Sequence, residues 1–244
     1  MYRDTKMRSL AKAVSNRAFN TTATIFIVLF FASDDKTLLS IIAGAGLADI
    51  VIKFTLFYIN ERIWDKLQFG REKYTPAVIW FTGLPYAGKR LMADKLFEYL
   101  QKKKLTAERL DGDDVRTLFP LQGFTREERN AYLMRMGFFS KLLAKNGVFV
   151  IASFISPYQK SREYNRRIIE NYIEVYVATP QEVCEEWDVW GSYEKARRGE
   201  VPNFVGVDEK YEEPKNPEVV IDLSTETQAE AFTKILAVLK KKYL

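Results

Sequence analysis

Residues 77–102 constrain this chain more than any other stretch. The run opens on five apolar residues, Ala77, Val78, Ile79, Trp80 and Phe81. Gly83, Leu84, Pro85, Tyr86, Ala87, Gly88, Lys89 and Arg90 come next, and residues 91–102 are good helix formers. A buried strand, a glycine-bounded loop and a helix N-terminus in that order make a phosphate cradle. The glycines let the backbone turn its N–H groups inward, the helix end adds a positive dipole, and Lys89 adds a full charge. The spacing is G-x-x-x-x-G-K, so 83–90 is the expected triphosphate loop. The position after Lys89 normally carries a Ser or Thr hydroxyl that ligates Mg²⁺. Here it is Arg90, which has five donors and no acceptor.

What surrounds this loop narrows the chemistry. The chain has 244 residues, enough for one good-sized α/β domain and a smaller appendage. It has one cysteine, Cys184, which excludes an internal disulfide. It has no histidine, which excludes imidazole acid–base chemistry and His-ligated zinc. Catalysis is left to carboxylates, Lys, Arg, hydroxyls, backbone dipoles or a bound cation.

The formal charge of +5 is concentrated at one end: Arg3, Lys6, Arg8, Lys12 and Arg17 stand against Asp4 alone in residues 1–20. Because an apolar run follows at once, this points to a membrane surface and not to nucleic acid. Residues 18–33 are uncharged, Asp34-Asp35-Lys36 interrupts, and 38–59 form a second apolar run with Asp49 and Lys53 one helical turn apart. The two runs predict a helical transmembrane hairpin over 1–66, in contact with membrane lipid; the alternative is a soluble αα-hairpin packed on the domain that follows. The basic end stays cytoplasmic and two passes return the chain to that side. A cleaved leader is not expected, since a second span follows the first. Residues 67–76, with Gly70 and Pro76, read as a polar linker. The start Arg8-Ser9-Leu10-Ala11-Lys12-Ala13 and the end Asn60-Glu61-Arg62-Ile63-Trp64 resemble a small two-helix bacterial membrane domain of unknown function.

From residue 77 to 244 strand and helix patterns alternate. Strands are expected at 106–110, 148–154, 173–178 and 219–221, and helices at 126–145, 181–187 and 225–243. In the last helix Ala229, Phe232, Leu236 and Leu239 are expected to face inward. Alternating βα units imply a doubly wound parallel sheet with ligands at the carboxyl ends of its strands. Three segments fall at or near those ends. Asp111-Gly112-Asp113-Asp114-Val115-Arg116 offers carboxylates to Mg²⁺ or a hydroxyl proton, or is an Asp/Gly turn. Phe154-Ile155-Ser156-Pro157-Tyr158 offers a hydroxyl. Residues 192–206 read as a basic lid or as a solvated helix and loop.

Together these segments resemble the adenylylsulfate kinases, P-loop enzymes that phosphorylate the 3′-hydroxyl of adenylyl sulfate. The resemblance covers about 78–223. It rests on the loop 83–89, Leu110-Asp111-Gly112-Asp113 with Val115-Arg116, Gly123-Phe124, 154–158, 182–186, Lys195-Ala196-Arg197, Asn203-Phe204 and 211–218. It implies a P-loop kinase fold, ATP as phosphoryl donor with Mg²⁺, adenylyl sulfate as acceptor, and a homodimer. By position it implies that the loop holds the ATP phosphates. Asp111 and Asp113 serve the metal and the attacking hydroxyl, with Lys89 and Ser156 as further catalytic positions. Arg116, Arg129, Ile155, Ser156 and Lys195 contact the acceptor. Phe124 and Phe204 clamp its adenine.

The departures from the family pattern are Arg90, Tyr132 for Asn, Met134 for the first of two Arg (Arg135 keeps the second), Trp187 for Arg and Trp190 for Lys. They are expected to cluster on phosphate and substrate contacts. The reading is a membrane-tethered adenylylsulfate kinase. The alternatives are a degenerate, membrane-anchored nucleotide-binding module and a kinase for a related nucleoside-type acceptor.

Overall fold

A computed structural model describes residues 2–32, 38–67, 69–118 and 123–244. The Asp34-Asp35-Lys36 interruption lies outside the described residues. Residues 2–74 form one compact unit and 75–244 another.

In the first unit, β1 (Tyr2–Asp4) leads into α1 (Lys6–Ala32), α2 (Leu38–Lys66) runs back, and β2 (Arg71–Lys73) pairs antiparallel with β1. The expected linker is therefore corrected: residues 71–73 are a strand. Arg8 is buried and ties the hairpin shut. It donates to the carbonyls of Leu67 (2.6 Å), Phe69 (2.7 Å) and Trp64, lies over the Trp64 ring and pairs with Asp4 at 3.0 Å.

The two helices bury Ala23, Ile27 and Trp64 and also meet through polar groups. Trp64 Nε1 donates to Ser15 Oγ (2.8 Å), which meets Asn60 Oδ1 (3.2 Å). Lys12 pairs with Glu61 (2.6 Å), and Lys53 with Asp49 (2.7 Å), whose carboxylate also accepts from Thr24. Leu10, Val14, Phe26, Leu29, Val51 and Phe54 are exposed instead. Among the described residues no helix is long and apolar enough to cross a membrane.

The second unit is built on a five-stranded parallel sheet. Its strands are β3 (Val78–Gly83), β4 (Ala107–Asp111), β5 (Phe149–Ser153), β6 (Tyr172–Val177) and β7 (Val219–Ile221), in the order β4-β5-β3-β6-β7. β3 is central and wholly buried, which is why it reads as an unbroken apolar run. Its side chains alternate between faces. Val78 and Trp80 pack against Leu133 and Met136 of α5 (Arg126–Lys145). The other face is covered by α3 (Lys89–Lys102), burying Met92, Ala93, Leu96 and Leu100, and by α9 (Gln228–Tyr243).

α9 corrects part of the expected face: Leu239 is buried and Phe232 and Leu236 are half-buried as expected, but Ala229 is exposed, and Ala231 and Ile235 are buried beside Leu239. Thr227 forms a capping box with Glu230, so the helix begins at Gln228, three residues later than the periodicity suggests, and Ala229 falls in its exposed first turn. The Asp-Gly string is not a turn: Asp111 ends β4 and α4 (Gly112–Leu118) starts at once. The remaining helices are α6 (Gln159–Ile168), α7 (Gln181–Glu186) and α8 (Ser192–Arg197).

Candidate active site

The loop between β3 and α3 is fixed by close approach. A Cβ on Gly83 would lie 2.4 Å from the Val177 carbonyl oxygen, and one on Gly88 2.4 Å from Leu223 Cδ1. Gly88 caps α3 in the left-handed region at φ 93°. Ala87 N donates to Leu84 O at 3.2 Å, and Thr179 Oγ1 holds the Ala87 carbonyl at 3.0 Å. Tyr86 takes φ 62°, unusual without glycine, and its hydroxyl meets Ser192 Oγ at 2.6 Å. Tyr193 donates from the other side to Pro85 O (3.2 Å), so α8 braces the loop.

A cavity of about 550 Å³ opens beside this loop. Pro85, Tyr86, Gly88, Lys89 and Arg90 line one side, Asp111, Asp113 and Arg116 another, and Ile155, Trp190 and Phe204 close it. Lys89 donates to Leu84 O at 2.5 Å. Burial pushes its ammonium down to about 8, partly offset by Asp111 and Asp113.

Asp111 is 4% exposed and strongly held. Ser153 Oγ donates to its Oδ2 (2.6 Å), the Asp113 amide donates to its Oδ1 (3.1 Å), and Arg90 stands 3.6 Å from the same oxygen. Arg90 also reaches Asp114 (3.7 Å), which Arg109 holds at 2.9 Å. Asp113 pairs with Arg116 at 3.4 Å. Among the described residues no group of three or more acidic, His or Cys side chains makes a metal cage. The two carboxylates do fit a hydrated divalent ion shared with a triphosphate, because Mg²⁺ needs only one or two of them.

A smaller recess of about 30 Å³ shares Arg116, Phe154 and Ile155 with this cavity and adds Phe124, Arg129, Tyr132 and Ser156. Arg129 lines the recess. Its Nε donates to Phe124 O (2.9 Å) with the guanidinium over the Phe124 ring, and its Nη2 donates to Asn203 O beside Phe204. Burial lowers its pKa. Arg116 Nε and the Tyr132 hydroxyl are buried here without a hydrogen-bond partner. Burial raises the pKa of that phenol.

Not every expected residue arrives. Phe124 and Phe204 line adjoining spaces and not one slot. Phe204 packs edge-on against Tyr193 at 4.9 Å. Lys195 is exposed on α8 and lines neither space, whereas Trp190, before that helix, lines the cavity. Ser156 is buried, and its Oγ accepts from Trp80 Nε1 at 2.9 Å. The expected clustering of departures is corrected. Arg90, Tyr132 and Trp190 line the site, whereas Met134 lies in a groove with Arg135, Phe138, Phe139 and Tyr164, and Trp187 lines neither space.

Sequence reasoning missed the supports. Thr82 Oγ1 donates to Ile155 O (2.8 Å) and meets the Tyr211 hydroxyl (2.7 Å). Arg162 is 3% exposed, donates to the carbonyls of Ser156 and Glu212, and faces Glu174 at 3.4 Å. These contacts hold Ser156 at φ 45°.

Residues 75–222 match the family described as adenylylsulphate kinase, and residues 10–65 match a family described as a predicted membrane protein. The adenylyl-sulfate kinase of Halothermothrix orenii is 44% identical over 165 residues, covering 67% of this chain and 89% of that protein. The adenylyl-sulfate kinase of Rippkaea orientalis is 45% identical over 164 residues, covering 67% and 91%. The structure of the Mycobacterium tuberculosis APS kinase, in complex with AMPPNP and APS, superposes with a TM-score of 0.65 at 32% identity. It covers 69% of this chain and 99% of that one. The chain belongs to the adenylylsulfate kinase family of phosphotransferases.

Proposed function

We propose that the chain transfers the γ-phosphoryl group of ATP to the 3′-hydroxyl of adenylyl sulfate, giving 3′-phosphoadenylyl sulfate and ADP. The observation that carries this reading is the convergence of Lys89, Asp111, Asp113, Arg116 and Phe204 on one cavity, beside a recess holding two unpartnered buried polar groups. Within the first set Lys89 and, through a hydrated divalent ion, the two carboxylates suit a triphosphate. An anionic, hydroxyl-bearing acceptor would satisfy the second, Arg116 Nε and Tyr132.

In the proposed reaction the 3′-oxygen bonds to the γ-phosphorus, and the bond from phosphorus to the β–γ bridging oxygen breaks. ADP leaves with the electron pair. The hydroxyl proton passes to the carboxylate pair Asp111/Asp113. The loop amides and Lys89 hold the charge on the transferring group. Arg116 and Arg129 orient the acceptor. Ser156, committed to Trp80, acts as a positioning residue and not as a phosphorylated intermediate. Mg²⁺ carried on ATP would be held by Asp111 and Asp113 and would supply charge neutralisation on the β and γ phosphates.

The hairpin is proposed to anchor the chain in the cytoplasmic membrane, with the kinase unit on the cytoplasmic side. Support comes from the large apolar side chains exposed on its helices, from the family match over residues 10–65, and from the basic first twenty residues. A nucleotide-holding module without turnover is not favoured, since the matched relatives are named as kinases.

The test is ADP release by residues 75–244 with ATP, Mg²⁺ and adenylyl sulfate. The expected result is acceptor-dependent turnover that falls at least about 100-fold in Lys89→Met, as loss of one transition-state donor does elsewhere. Release that ignores adenylyl sulfate would count against the assigned acceptor.

A further inference from the structure

Outside the active site, one face of the kinase unit combines exposed apolar rings with unpaired cations. Met134, Phe138 and Leu142 recur every fourth residue on α5, so they lie along one stripe. Phe138 is 48% exposed and Leu142 41%. Beside them a groove of about 340 Å³ runs between α5 and Tyr164 of α6. Solvent-facing positions on a helix do not ordinarily carry large apolar side chains in adjacent turns, and a contiguous patch of this kind marks an interaction surface.

The charges around it are mainly positive, five cations against the exposed Glu163. Arg135, Lys141 and Lys145 of α5 and Lys160 and Arg167 of α6 flank the stripe, and none forms an ion pair among the described residues. Arg167 lies over the Tyr164 ring at 5.6 Å. The acid between them on α6, Glu163, accepts a hydrogen bond from Gln159. A second copy of the same face would set cations against cations. An anionic lipid surface complements both features: its phosphates take the cations, and its interfacial zone takes the rings and the leucine.

We propose that the α5–α6 face of the kinase unit docks on the headgroup region of a bilayer rich in anionic phospholipid. It does so independently of the N-terminal hairpin, and this gives the tether a second point of contact. The choice of lipid rests on the membrane reading of the hairpin; the patch itself does not. One anchor and one basic–apolar patch together hold a domain far better than either alone.

Residues 75–244 form a compact unit, and the two kinases compared above match almost only this part, so the unit can be tested without the hairpin. It should cosediment with vesicles of phosphatidylcholine and phosphatidylglycerol at 70:30. Binding should be at least tenfold weaker to phosphatidylcholine alone and in 0.5 M NaCl. Phe138→Ser/Leu142→Ser and, separately, Lys145→Glu/Lys160→Glu should each lower binding at least tenfold while ATP affinity stays within twofold. The charge-reversal pair leaves the stripe intact and covers the case in which the serine pair does not fold. Equal sedimentation with neutral and anionic vesicles, or none with either, overturns the proposal. So does a dimer in light scattering that Phe138→Ser/Leu142→Ser abolishes in the absence of vesicle binding, which would give the face to a second copy. Because ATP affinity is read in the same samples, failure of the lipid contact is distinguishable from failure of the kinase reading.

Discussion

Lys89 is placed where its charge is most useful and most costly. Burial holds its ammonium near a pKa of about 8, well below the ordinary lysine value. Bound triphosphate favours the charged form, so binding takes up a proton once the free site has lost it. ATP affinity should therefore be flat below pH 8 and fall by up to about tenfold per pH unit above it. Calorimetry in buffers of different ionisation enthalpy will report that proton; its absence at pH 8.5 contradicts the assignment.

The same lysine affects folding with the opposite sign. Its folded pKa is depressed, so the unfolded chain binds more protons between pH 8 and about 10.4, and this one group adds stability as pH rises through that window.

Arg90 sits against Asp111 where the motif usually offers an oxygen. Arg90→Ser frees that carboxylate and restores an acceptor. It should lower the Mg²⁺ concentration for half-maximal rate and raise kcat by about tenfold, the scale of one well-placed electrostatic contact. An unchanged Mg²⁺ dependence rejects the explanation. Tyr132→Phe removes an unpartnered hydroxyl from the recess. If the acceptor satisfies that group, KM for adenylyl sulfate rises about three- to tenfold while kcat and thermal stability hold. Of these residues the sequence makes Lys89 legible through its spacing and Arg90 through its absence of an acceptor. It is silent on the ion pair between Arg90 and Asp111, which depends on how β4 lies two strands from β3.

At the scale of elements, the parts that periodicity finds are those with apolar stripes. β3, β5 and β6 are wholly or almost wholly buried, and α3 buries Met92, Leu96 and Leu100. α6 left no such trace because its buried residues are Ser161, Arg162 and Asn165, so its inner face is polar. α4 was hidden for a different reason: Asp and Gly at its first turn suit both a turn and a helix N-terminus. β1 and β2 are three residues each and charged, too short for alternation to register.

The hidden helix carries the main support of the site. Arg162 links the loop after β5 to Glu174 on β6 and to the segment near Tyr211. Arg162→Met leaves two carbonyls without their donor and leaves Glu174 to Arg166 alone. It should destabilise the kinase unit by about 2–4 kcal/mol in urea unfolding. A loss under 1 kcal/mol would show that the network is not structural.

For the whole molecule, two compact units divide the work. The sequence changes from basic and apolar runs to alternating strand and helix patterns, and the two compact units divide between residues 74 and 75. The hairpin exposes Leu10, Phe26 and Phe54, while Ala23, Ile27 and Asn60 are buried and the Asp49–Lys53 pair is partly exposed. Alkaline carbonate should therefore leave the full chain in the membrane pellet, while residues 75–244 alone remain in the supernatant at 0.5 M NaCl. Release of the full chain contradicts the anchor without touching the kinase reading.

The kinase reading itself is tested most directly by ³¹P NMR of the reaction of the full chain in membrane vesicles with ATP, Mg²⁺ and adenylyl sulfate. The account predicts a new phosphomonoester resonance on the 3′-oxygen of the acceptor, one ADP per product, and an intact phosphate–sulfate anhydride. Bound nucleotide with no such resonance, or phosphate on any other oxygen, contradicts it.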